Sequence, residues 1–243
     1  IVALTMFMKG KTGITVKKSD FKPRKETMGR LLKIGFPIAM QDGLIQVAFI
    51  IITIIANRRG LTDAAAVGIV EKVISFLFLV PSSMLSTVSA LGAQNVGAGK
   101  LGRVKEGFAA GLKLIWLLCI PVVILYLVGG RYLVYLFMES PTGPAMDTAL
   151  QFIKIITPFY FVISAKLVAD GVLRGAGMMK KFMIATFTDM ILRVLLAKIL
   201  SGTGFGTSGI WMAWPIGWSI ATVVSIIFYR TGKWNKAPKE AEN

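Results

Sequence analysis

Six long apolar blocks alternate with short polar stretches along the chain, at 34–57, 66–93, 108–128, 149–173, 182–200 and 209–229. A bilayer core takes about 20 apolar residues as a helix. Each block is long enough, and none shows the strict alternation of a half-buried strand. With no water in lipid, the backbone must satisfy its own hydrogen bonds, which makes helix the default. The pattern predicts an all-α membrane protein, a bundle of six transmembrane helices over 31–230.

The segments outside the blocks complete the layout. Residues 1–8, "IVALTMFM", are apolar but too short to cross and read as the end of a preceding transmembrane helix. Residues 9–30, "KGKTGITVKKSDFKPRKETMGR", read as a basic cytoplasmic linker, and 231–243 as a cytoplasmic tail. Pro37, inside the first block, removes a backbone hydrogen bond and favours a kink; the third block carries Pro121 and the sixth Pro215. Trp211 and Tyr229 sit at opposite ends of the last block, as an interfacial aromatic belt requires.

Composition sharpens this picture. The chain of 243 residues is 55% hydrophobic and only 16% charged, yet its net charge is +16. Of its 28 Lys and Arg, 18 fall in the N-terminal segment, the connections after blocks two and four, and the tail; only Arg58, Arg59 and Arg131 fall in the opposite connections. This asymmetry is the positive-inside pattern and predicts a multi-pass plasma-membrane protein with both termini cytoplasmic. The basic excess thus reports topology and contact with anionic lipid, not nucleic-acid binding. The chain has no histidine and one cysteine, Cys119. It therefore lacks the commonest general base and metal ligand, and no Ser-His-Asp or Cys-x-x-Cys constellation can form. Enzyme chemistry, metals and organic cofactors are not expected. "QNVGAGK" (94–100) lacks the spacing of a phosphate loop.

Charges inside the blocks are the candidate chemistry, because they are costly in lipid and should face the bundle interior or water. Asp42 and Gln46 share a helix face at i,i+4. Asp42 lies about 18 Å along the helix from Arg30, near mid-membrane. Glu71 and Lys72 lie near the outer end of block two. In block four, Lys166 and Asp170 form an i,i+4 pair one to two turns before Arg174, readable as an interfacial salt bridge or as the lining of an inner mouth. Asp189 and Arg193 repeat the spacing deeper in block five, where structural neutralisation is the simpler role.

Four motifs in order, "KIGFPIAMQDGL", "SALGAQNVGAGKLGRVKEG", "ITPFYFVISAKLVADGVLRGAG" and "GIWMAWPIGW…YRTGKW", resemble the seventh, eighth, tenth and twelfth helices of the multidrug and toxic compound extrusion (MATE) family. The resemblance implies the C-terminal lobe of a twelve-helix transporter, partnered by an N-terminal six-helix lobe and the lipid bilayer. It implies antiport of cationic or amphipathic drugs against H⁺ or Na⁺. Coupling carboxylates in the seventh and tenth helices of family members point to Asp42 and Asp170, with Gln46, Glu71 and Lys166 as further candidates for substrate or ion coupling. Gln94, Asn95, Arg174, Gly175 and Arg193 match family motif positions that fix helix ends and packing, and Asp189 joins them as Arg193's partner. A lipid-linked sugar flippase of the same superfamily, with Lys72, Lys166 and Arg193 on a basic cavity, and an inactive half-transporter are the alternatives. If Asp42 is the coupling carboxylate, Asp42→Asn abolishes drug efflux and its pH dependence; unchanged efflux rejects it.

Overall fold

A computed structural model describes Thr5, residues 22–138, 142–232 and Trp234. The expected helix end at 1–8, most of the linker and most of the tail lie outside the described residues. The chain divides into two units, Ile1–Ala39 and Met40–Asn243. Among the described residues there are eight α-helices and no strand: α1 Lys25–Asn57, α2 Leu61–Leu77, α3 Leu79–Gly97, α4 Leu101–Tyr135, α5 Pro144–Ile156, α6 Tyr160–Gly175, α7 Met179–Ser201 and α8 Gly206–Arg230. A 3₁₀ turn at Thr157–Phe159 joins α5 to α6. Helix α1 begins six residues inside the expected linker, just beyond Pro23.

Among the described residues, four segments are long and apolar enough to cross a membrane: α1, α4, α5–α6 together, and α8. Helices α2 and α3, bent by 42° at Phe78, reach that length and hydropathy only as a pair. The sixth expected crossing, α7, has the length, 23 residues, but carries Lys180, Lys181, Asp189, Arg193 and Lys198. Its two mid-helix charges are paired with each other, which is how a helix of this composition fits a bundle.

The break at Phe78 has a local cause. Pro81 has no N–H to give to the carbonyl of Leu77, four residues back, and its ring crowds that carbonyl. The Leu77 carbonyl is instead capped by the buried Tyr160 hydroxyl at 2.8 Å. Tyr126 does the same for Val73 at 3.1 Å. Block two, expected as one helix, is thus two, with side chains from α4 and α6 holding the bend.

The core lies where α6 packs among α3, α4 and α8. Small residues set the spacing of α3 against α6. Gly92 faces the backbone of Val172 and Gly175 at 3.7–3.8 Å from where its Cβ would stand. A Cβ on Gly171 would meet Val88 at 2.9 Å and the Leu85 carbonyl at 3.0 Å, and one on Gly175 would overlap the Ser89 carbonyl and the Ala93 amide. The Gly171-x-x-x-Gly175 spacing therefore works as a close-packing seam between membrane helices. Both helices also end alike, at Gly97-Ala98-Gly99 and Gly175-Ala176-Gly177, with Gly99 at φ 68° and Gly177 at φ 72°. In each case the next amide closes on a carbonyl five residues back, Lys100 N–H on Asn95 and Met178 N–H on Leu173. This recurrence was not anticipated from the sequence.

Outward faces are apolar: Leu117, Ile124, Leu125 and Val128 on α4 and Val223 and Ile227 on α8 are exposed, as lipid contact requires. Gly175→Val should remove the seam, and the folded protein should be lost from detergent extracts. Gly97→Val, where a Cβ meets nothing within 4 Å, should leave the size-exclusion profile intact.

Candidate functional site

A cavity of about 330 Å³ opens among α1, α2, α3, α6, α7 and α8. Its apolar wall combines aliphatic side chains with four aromatic ones: Phe49 from α1, Phe78 at the α2–α3 break, Trp214 and Trp218 from α8. The rings form a connected series, with centroids 5.3 Å apart for Phe49–Trp214, 5.9 Å for Trp214–Trp218 and 5.6 Å for Phe78–Trp218. Polar groups enter at a few points: Gln41 and Gln46 on α1, Ser75 and Ser82 beside the break, Lys166 on α6, and Thr186, Asp189 and Arg193 on α7. A concave site that joins apolar and aromatic side chains to convergent polar groups has the form of a small-molecule site.

Two charge pairs border it. Lys166 Nζ donates to Asp170 Oδ2 at 2.5 Å, and the Ser225 hydroxyl donates to Asp170 Oδ1 at 2.6 Å, so both carboxylate oxygens are occupied and α6 is tied to α8. Asp170 is 0% exposed and Lys166 4%. Asp170 lies about 8 Å along α6 from its end at Gly175. The pair is enclosed within the lobe, with Ser225 of α8 packed against it. The second pair is Arg193 with Asp189 Oδ2, roughly 15 Å along α7 from Met179. Arg193 also lies over the Trp214 ring, 4.1 Å from its centre. Five buried polar atoms on cavity-lining side chains have no hydrogen-bond partner among the described residues: Thr186 Oγ1, Asp189 Oδ1, Arg193 Nε, and Nε1 of Trp214 and Trp218.

The structure separates the sequence candidates. Gln46, Lys166, Asp189 and Arg193 line the cavity, and Asp170 sits directly behind Lys166. Asp42 is exposed and does not line it; its i,i+4 partner Gln46 reaches the wall. Glu71 is half-buried and outside the lining, and Lys72 lies 5.8 Å from the Phe137 ring at the surface. Gln94 and Asn95 accept the closing amides of Ala98 and Lys100, and Arg174 accepts that of Gly177. Gly175 forms the α3–α6 seam. Cys119 is buried, 3.2 Å from the Ser164 hydroxyl. Sequence reasoning missed Ser225, the polar partner of Asp170, and the aromatic series; Trp214 and Trp218 at i,i+4 in "WMAWPIGW" were the available signal.

At the opposite end of the helices is a second polar group. Arg59 ion-pairs with Asp63 at 3.2 Å and donates to the Ser201 carbonyl at 2.7 Å, while Thr207 donates to Asp63 at 2.5 Å. It ties the α1–α2 turn to the α7–α8 turn.

The MatE family model matches residues 37–199. Two Bacillus subtilis (strain 168) proteins described as probable multidrug resistance proteins, YpnP and YoeA, are 25% and 23% identical over 87% and 86% of this chain. These matches cover 47% and 45% of their lengths, so the chain spans about half of the curated relatives it matches. Among solved structures, a MOP superfamily transporter from Pyrococcus furiosus has a TM-score of 0.87 at 18% identity, over 97% of this chain and 53% of that one. A MATE structure in complex with MaL6 has a TM-score of 0.85 at 18% identity, over 95% and 52%. These likenesses are likenesses of fold.

Removing one member of a buried ion pair leaves the other uncompensated, at about 3–5 kcal/mol. Lys166→Met is expected to lower thermal stability by that order, and Lys166→Met with Asp170→Asn to recover much of it. A thermal-shift series on the purified protein measures both.

Proposed function

Because the chain belongs to the MatE family, we propose that it works as the C-terminal lobe of a secondary multidrug exporter, exchanging cationic or amphipathic compounds for H⁺ or Na⁺. It is a transporter lobe rather than an enzyme. The observation that carries the proposal is the buried Lys166–Asp170 pair on the wall of an aromatic cavity. The aromatic faces offer area to flat, amphipathic compounds of varied shape. The carboxylate behind Lys166 is the group able to trade one positive partner for another.

Coupling follows from the two bonds on Asp170. While ionised, it holds Lys166 and accepts from Ser225, drawing α6 and α8 together. A proton on the carboxylate removes the charge that holds Lys166 and weakens the tie to α8. Loss of that tie lets the wall of the cavity move, and the cavity opens to the other side of the membrane. A Na⁺ ion at the same carboxylate would compete with Lys166 in the same way. The coverage of about half of each relative supports a second six-helix lobe as the partner that completes the central cavity. The basic ends of the helices fit the cytoplasmic side of a cell membrane.

Asp170 replaces Asp42 as the first candidate because it is buried and attached to the cavity wall, whereas Asp42 is exposed and outside it. The flippase reading gains no support from relatives described as multidrug resistance proteins.

Ethidium efflux from drug-sensitive cells tests the proposal, with this chain expressed alone and beside a MatE-type N-terminal lobe. Efflux is expected only with both, and Asp170→Asn is expected to cut it at least tenfold and flatten its pH dependence, with Asp42→Asn near wild type. No efflux from the pair overturns the exporter reading, and the reverse order of the two variants returns coupling to Asp42.

A further inference from the structure

Coupling through Lys166 and Asp170 leaves Asp189, Arg193 and Trp214 without a role in transport. An acid beside aromatic faces is the chemistry that holds an organic cation. Trp214 has Phe49 on one flank and Trp218 on another, and Asp189 lines the same cavity. A cation already occupies the place: Arg193 rests on Trp214 at 4.1 Å and ion-pairs with Asp189. It is held incompletely, since its Nε has no partner. The other oxygen of Asp189, Oδ1, is also unpaired but is turned against α8, where a Cβ on Gly217 would lie 2.8 Å from it. The oxygen a cavity ligand would meet is therefore the one that Arg193 covers. A pair kept only for neutrality would need neither the aromatic shelf nor a place on the cavity wall.

We propose that Arg193 is a tethered stand-in for the substrate: a guanidinium that fills an organic-cation site formed by Asp189, Trp214 and Phe49, and that a cationic aromatic compound displaces from both carboxylate and ring. The site takes monovalent, delocalised aromatic cations. An entering cation takes the place of Arg193 beside Asp189, so the carboxylate stays neutralised and the displaced guanidinium carries its charge away from the wall. This rests on the reading of the cavity as a drug site.

The test is equilibrium binding of tetraphenylphosphonium to the purified two-lobe transporter, with tetraphenylborate as an isostere of opposite charge. Arg193→Gln is expected to tighten tetraphenylphosphonium about tenfold and leave tetraphenylborate no tighter. Asp189→Asn added to Arg193→Gln is expected to erase that gain. Arg193→Lys, which keeps the charge but loses the planar stack, is expected to gain about threefold and serves if the Gln variant does not fold. Unchanged or weaker tetraphenylphosphonium binding in the folded Gln or Lys variant overturns the proposal, as does equal tightening of tetraphenylborate. Ethidium efflux by wild type with unchanged affinities defeats this site while sparing the exporter reading. Tightening without any wild-type efflux does the reverse.

Discussion

Lys166 and Asp170 neutralise each other at a depth where water is scarce, and the arrangement of three helices follows from that need. An ionised carboxylate in such a place demands partners for both oxygens. Lys166 supplies one from its own helix and Ser225 supplies the other from α8. To bring α6 under α8 and still close the core, α6 must also press against α3. Gly171 and Gly175 permit that approach, with Gly92 opposite. Buried charge, hydroxyl and glycine seam form one arrangement, and the cavity is what remains on its far side.

Helix content was legible because apolar blocks of spanning length are a strong signal, whereas the expected count of six crossings is matched by four spanning segments and one bent pair among the described residues. The i,i+4 spacing of Lys166 with Asp170 and Asp189 with Arg193 was legible for the same reason: helical geometry alone pairs them. Enclosure was not: the spacing says nothing of α8, whose Ser225, some 50 residues further on, packs against Asp170. Nor was the facing of Asp42, which is exposed in this lobe, because helical phase relative to neighbours decides a side chain's direction and that phase belongs to the packing. The break at Phe78 was foreshadowed by Pro81 alone; the hydroxyl that accepts its consequence comes from Tyr160.

The two charge pairs differ in kind. Asp170 has both oxygens satisfied and is fully enclosed, so a change in its state is felt by α6 and α8 together. Asp189 and Arg193 leave one atom each unpaired and sit beside π faces. The first pair is closed on every side; the second keeps unmet polar atoms beside aromatic rings. The clamp of Arg59, Asp63, Thr207 and the Ser201 carbonyl ties the other end of α7 and α8.

The glycine seam also sets a schedule for biosynthesis. Its two sides, Gly92 and Gly175, are separated by about 80 residues of chain. At roughly 5–20 residues per second, the groove on α3 stays open for about 4–16 s before α6 leaves the ribosome. During that interval the backbone of Ser89 and Ala93 faces lipid or the insertion machinery, and α4 and α5 must enter the bilayer without occupying its place. The nascent lobe is consequently most vulnerable to quality-control proteolysis while its fourth span is still being made.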